Sequence, residues 1–149
     1  MWIKEIVENL VKKYGTNDPF EIAEAKNIYV IEQDLHEEIY GFYKYMRRNK
    51  FIFLNSNLGK EDKVFTFCHE LGHSEIHPKL SAPFLKSKTL ISIDKIENEA
   101  NRFAVELLLP DSAIYEYKDS GLSISEIAGI HGVPSEVAHL KNLRNVHGK

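Results

Sequence analysis

Two histidines four residues apart, with a glutamate directly after the first, make His69-Glu70-Leu71-Gly72-His73 the segment best suited to metal-assisted chemistry. On an α-helix, side chains four apart stack on one face, so both imidazoles can point at one cation. Glu70 is turned by about 100° and reaches a water beside the ion rather than the ion itself. A catalytic zinc commonly takes three protein ligands and keeps one position for water, whose pKa falls to about 7. The pair therefore needs a third ligand from elsewhere in the chain. Val64, Phe65, Phe67, Cys68, Leu71 and Ile76 make the segment read as a buried helix. Gly72 is a poor helix former there and marks clearance for a metal or a crossing helix.

The candidate third ligand is Glu97, within Ile96-Glu97-Asn98-Glu99-Ala100-Asn101-Arg102-Phe103-Ala104. Glu97, Asn101, Ala104 and Leu108 share one helical stripe, so the carboxylate lies in line with an amide and with a small residue that allows close helix approach. Asn101 then stands where it can orient a ligand histidine from behind. Glu99 competes with Glu97 but sits about 200° around the helix from it, so only one of them faces the metal. Other residues have plainer readings. His77, at the helix end before Pro78, serves the last carbonyls. Cys68 reads as a small buried hydrophobe. Tyr115, Tyr117, His131 and His139 have the chemistry of an oxyanion donor but read first as packing or surface residues.

Phe67-Cys68-His69-Glu70-Leu71-Gly72-His73, followed by Glu97-Asn98-Glu99-Ala100-Asn101-Arg102-Phe103-Ala104 and the ending Leu107-Leu108-Leu109-Pro110, resembles the paired signature of the ImmA/IrrE metallopeptidases. The second half is the more telling: the family pattern Glu-x-x-Ala-Asn-x-Phe-Ala with a Leu-Leu-x-Pro ending is matched at each position. The similarity extends upstream through Asp18-Pro19, Gly41 and Leu54-Asn55, and Cys68 departs from a frequent alanine. The resemblance implies a zincin-like, more narrowly gluzincin-like, site with His69, His73 and Glu97 as zinc ligands and Glu70 as general base. It also implies a substrate class: members carried by temperate phages and mobile elements cleave a small helix-turn-helix repressor. With no large extension after the helices, the chain resembles the short phage or mobile-element type.

These residues must be positioned by the rest of the chain. Trp2, Ile3, Ile6, Val7, Leu10 and Val11 recur at helical spacing up to Gly15, and Asp18-Pro19 predicts an N-cap and first turn for a helix through Lys26. Residues 28–33, 39–46 and 50–54 are rich in aromatic and β-branched types, with a hairpin break at Arg47-Arg48-Asn49, which predicts a small sheet of about three strands. Residues 50–54 lead into the metal helix and are the natural choice if an extended substrate lies along a free sheet edge, the equal alternative being a paired interior strand. Helices are expected from Glu61 to His77 and from Ile96 to Leu109, each closed by a proline, with a loop through Ser81, Pro83 and Ser87 between them. Beyond Ser123 the chain resembles a helix-turn-helix, with Gly132 in the turn and Ser135 as second N-cap. Its second helix opens on Glu136, Val137 and Ala138, a poor start for reading bases, so a packing or docking unit is the better reading.

A chain of 149 residues, 43% hydrophobic, buries one core where two would each be marginal. A formal net charge of −3 gives no basic footprint for nucleic acid. The single cysteine excludes an internal disulfide, and no signal layout or run of about 18 apolar residues is present, so a soluble cytoplasmic protein is expected. The fold class expected is α+β: N-terminal helices, a small sheet, two central metal-site helices and short C-terminal helices. Residues 1–120 form the metallopeptidase unit and 121–149 a small helical extension packed on it. The function expected is zinc-dependent endopeptidase action on a repressor. The alternative is a metal-binding or DNA-binding regulator that works by sequestering a partner.

Overall fold

Asp18 and Pro19 set an early element by local chemistry alone. The Asp18 carboxylate accepts from the backbone N–H groups of Phe20 (2.8 Å) and Glu21 (3.4 Å), and Pro19, which has no N–H to satisfy, takes the first helical position. The computed structural model describes residues 2–79, 82–84 and 94–144. Within them, α1 (Trp2–Tyr14) stops at Gly15, whose φ of +70° ends the helix, and α2 (Pro19–Ala25) follows.

The sheet has the order β1-β3-β2-β4, from β1 (Tyr29–Gln33), β2 (Gly41–Met46), β3 (Asn49–Asn55) and β4 (Ala82–Phe84). The three expected strands are joined by a fourth, in the segment expected as loop; Ser81 and Ser87 lie outside the described residues. Its three residues are too short a run to show period-two patterning. β2 and β3 close on Arg47 and Arg48 with φ of 53° and 69°, the two-residue turn whose twist suits a hairpin. β3 pairs in parallel with β1 and antiparallel with β2, so the free-edge reading of residues 50–54 is corrected in favour of the paired interior strand. Its backbone groups face two neighbours, and among the described residues the sheet edges are β1 and β4. Asn55 holds the crossing between β1 and β2: its Nδ2 donates to the Leu35, His36 and Ile39 carbonyls at 2.9–3.2 Å.

Gly41 lets the sheet lie close under the next helix. A Cβ there would sit 2.6 Å from the Phe53 carbonyl oxygen and 2.9 Å from Thr66 Cγ2. A backbone oxygen at that distance has to move, so Gly41→Ala is expected to destabilise the protein by about 1–3 kcal/mol in denaturant unfolding.

α3 (Lys60–Ile76) is the centre of the molecule: every residue from Phe65 to Ser74 is buried. A helix covered on all sides is core, and polar side chains carried there need partners or a purpose. α4 (Lys95–Leu108) begins at Asp94, whose carboxylate accepts from Ile96 N–H at 2.9 Å, and packs along α3. Gly72 is the contact point, where a Cβ would come within 3.0–3.2 Å of the buried Phe103 side chain.

After α5 (Asp111–Glu116), Ser123 and Glu126 form a reciprocal capping box that opens α6 (Ile124–Ile130), and Gly132 turns the chain at φ +77°. The second helix of the expected helix-turn-helix is instead a six-residue 3₁₀ helix, Ser135–Leu140, with Pro134 rather than Ser135 in the capping position. Val137, Ala138 and Leu140 are buried, and the segment packs on α4. Two short turns pinned by three apolar side chains have no reason to lengthen into a regular helix.

Lys141 then ties the segment after the 3₁₀ helix to α4 and α5. Its ammonium donates to Glu106 Oε1 and Asp111 Oδ1, both at 2.8 Å, while Glu106 Oε2 accepts from Asn142 N–H at 2.7 Å. Lys4 reaches from α1 to the carbonyls of Asn142 and Arg144. Glu106→Ala would leave a buried ammonium with only the half-buried Asp111, so a loss of about 3 kcal/mol is expected in denaturant unfolding. Among the described residues, no helix is long and apolar enough to cross a membrane.

Candidate active site

The buried stretch of α3 presents His69 and His73 to Glu97, which enters from the first turn of α4, and carries Glu70 buried beside them near the Tyr43 backbone of β2. One ligand atom each from His69, His73 and Glu97 lies within 4.8 Å of the others. Glu97 Oε1 is 2.9 Å from His69 Nε2 and 3.3 Å from His73 Nε2. The two rings stand edge to face, 4.8 Å apart at 87°.

The outer nitrogens are occupied too. His69 Nδ1 is 2.8 Å from Asn101 Oδ1, so the stripe that pairs Glu97 with Asn101 puts the amide behind the first histidine. His73 Nδ1 is 3.0 Å from His77 Nδ1, and His77 Nε2 is 2.7 Å from Glu99 Oε1. His77 closes α3 through its backbone, its N–H donating to the His73 carbonyl at 2.7 Å. Both of its ring nitrogens are spent on His73 and Glu99, so the reading that its side chain serves the last carbonyls is corrected. Its contact with His73 was missed, although the spacing of four that marks His69 and His73 also relates His73 to His77.

Electrostatics separate the carboxylates. Burial alone would raise Glu97, but hydrogen bonds and charge from His69 and His73 hold its carboxyl down at about 2. Burial lowers His73, favouring the neutral imidazole, with the hydrogen bond and charge of Glu97 opposing in part. Glu70 is fully buried and neither of its oxygens has a hydrogen-bond partner among the described residues. Burial, and then the nearby Glu97 charge, push it well above the ordinary carboxylate range. The Tyr43 backbone N–H opposes this in part, without forming a hydrogen bond of ordinary geometry.

Three lone-pair-bearing atoms converging on one point repel unless protons or a cation lie between them. A cation leaves each histidine with its proton on Nδ1, the tautomer that Asn101 Oδ1 accepts from. Two imidazole nitrogens and one carboxylate oxygen suit a divalent transition metal, and the orphaned Glu70 carboxylate beside them suits a water. The residues fit such an ion.

The IrrE N-terminal-like domain of the M78 peptidases matches residues 23–141 of the chain. The chain belongs to the ImmA/IrrE family. It is 30% identical, over 93% of its length and 83% of the relative's, to "Metallopeptidase ImmA" of Bacillus subtilis strain 168. It is also 52% identical, over 95% of its length and 89% of the relative's, to "Uncharacterized immunity region protein 2" of Bacillus phage phi105. Membership implies a metal ion and a protein substrate, and the cluster of His69, His73 and Glu97 is a candidate site for that ion.

The remaining candidates lie elsewhere. Glu99 faces His77 rather than the ligand cluster. Cys68 is completely buried and burial pushes its thiol up, away from reactivity. Tyr117 and His131 lie edge to face against each other, Lys118 lies over the Tyr115 ring, and His139 is exposed. No hydrogen bond joins these four to the cluster among the described residues.

Proposed function

We propose that this protein is a zinc-dependent endopeptidase that makes a site-specific cut in a helix-turn-helix repressor of a phage or mobile element. In this reading His69, His73 and Glu97 are the zinc ligands, Glu70 is the general base and Asn101 orients His69. The observation that carries it is a fully buried Glu70 with no hydrogen-bond partner among the described residues, beside three converging ligand atoms. A buried carboxylate without partners is costly to fold and is kept where chemistry uses it.

Zinc at these ligands would supply a Lewis acid and lower the pKa of a bound water to about 7. Glu70 takes the proton of the attacking water and returns it to the leaving amine. Glu97, held ionised by the two histidines, balances charge at the site, and Asn101 fixes the His69 ring so that Nε2 stays directed inward. The repressor as substrate rests on the family resemblance and on a phage relative whose name places it in an immunity region. The packed 3₁₀ segment supports a protein-directed role over base reading, since Val137, Ala138 and Leu140 are turned inward.

The test is co-expression with the repressor encoded beside the gene. The expected result is one specific cut that disappears on zinc chelation and returns on zinc addition. An intact repressor in the presence of zinc-loaded protein sinks the proposed substrate.

A further inference from the structure

We propose that His77 and Glu99 are positioning residues for the metal: together they fix the tautomer and ring orientation of His73 and so set how tightly the ion is held. The inference rests on the metal-site reading above and concerns residues which that reading leaves unused.

Each contact in the chain determines the next. His73 turns Nε2 toward Glu97 and His69, so in a metal-bound site that nitrogen keeps its lone pair and the proton sits on Nδ1. The Nδ1–H needs an acceptor, and His77 Nδ1 stands 3.0 Å away. An imidazole that accepts at Nδ1 carries its own proton at Nε2, and His77 Nε2–H then donates to Glu99 Oε1 at 2.7 Å, a length typical of a charge-assisted bond. The side chains of His77 and Glu99 are only 13% and 15% exposed, so water competes weakly for these bonds. The rings of His73 and His77 lie 5.1 Å apart at 56°, as a nitrogen-to-nitrogen bond requires, rather than stacked.

The topology makes the arrangement two-sided. α4 carries Glu97 to the inner nitrogens, Asn101 to the back of His69 and Glu99, through His77, to the back of His73. Glu99 points about 200° away from Glu97 around the helix, and His77, one turn beyond His73 on α3, bridges the gap. Partners of this kind raise ligand basicity and hold the ring in register, and their loss commonly costs about 10–100-fold in metal affinity.

The test measures zinc affinity by competition with a chromogenic chelator, and the visible spectrum of the cobalt-substituted protein, in full-length wild type, His77→Phe, His77→Asn and Glu99→Ala. Affinity is expected to fall about 10–100-fold in His77→Phe and about tenfold in Glu99→Ala, with shifted cobalt bands. His77→Asn is expected to recover most of the affinity, because its amide oxygen can accept where Nδ1 did. A His77→Asn protein as weak as His77→Phe would show that ring packing matters rather than the accepted hydrogen bond, and the proposal would be lost. So would affinities within twofold of wild type and unchanged cobalt bands, whatever happens to thermal stability. If His77→Phe does not fold, the same criterion applied to the partly exposed Glu99→Ala decides. A wild-type protein that binds no zinc defeats the metal-site reading instead, a distinct outcome.

Discussion

Glu70→Gln is expected to fold, to bind zinc like the wild type and to cut its substrate several orders of magnitude more slowly. The amide matches the carboxylate in size but accepts no proton, and a general base contributes about a hundredfold to ten-thousandfold before weaker activation of the water is added. Zinc content should hold because Glu70 is not among the three converging ligand atoms. The metal-free variant carries a second signature. The Glu70 carboxyl is raised above the ordinary value of 4.5, so the folded state binds its proton more tightly than the unfolded chain does. Stability of the wild type therefore falls as pH rises above that ordinary value, an effect absent at lower pH. The glutamine variant lacks this loss, so its advantage in thermal unfolding should grow from acid toward neutral pH. Near-normal cleavage of the repressor by Glu70→Gln would refute proteolysis by this route. Relief of repression in cells at the wild-type level, without cleavage, would point to sequestration of the partner.

Glu97→Ala should bring zinc from about one per chain to a small fraction of that, measured on protein purified without chelator. Among the described residues Glu97 is the one member of the candidate cluster from outside α3, and its Oε1 lies within 3.3 Å of both Nε2 atoms. Removing it leaves two imidazoles and takes away the carboxylate that would balance a divalent ion between them. His69→Ala and His73→Ala should each lower zinc content as well. Normal zinc retention in Glu97→Ala would take that residue out of the site and return Glu99 or His77 to contention, although the structure spends those two on each other.

Local chemistry is written directly in the chain, which is why certain elements could be read from it. The helical repeat alone places His69, Glu70 and His73 on one element and Glu97 and Asn101 on one stripe of another, because a period of 3.6 converts spacing into direction without reference to the rest of the molecule. Asp18-Pro19, the break at Arg47-Arg48 and the turn at Gly132 are likewise decided within a few residues of backbone. What lies between elements is different. That β3 is interior rather than an edge depends on β1 crossing to its far side, held by Asn55 through carbonyls 16–20 residues away in sequence. That His77 turns to His73 and Glu99, rather than to the helix end, depends on how closely α3 and α4 approach. The bare Cα of Gly72 against Phe103 sets that distance. Ser135 had the chemistry of an N-cap, but burial of Val137, Ala138 and Leu140 and the Lys141–Glu106 pair curled the segment into a 3₁₀ helix. Spacing along one helix fixes which side chains share a face, whereas the partner each meets across the core is set by packing among residues distant in sequence, and only the tertiary structure carries that information.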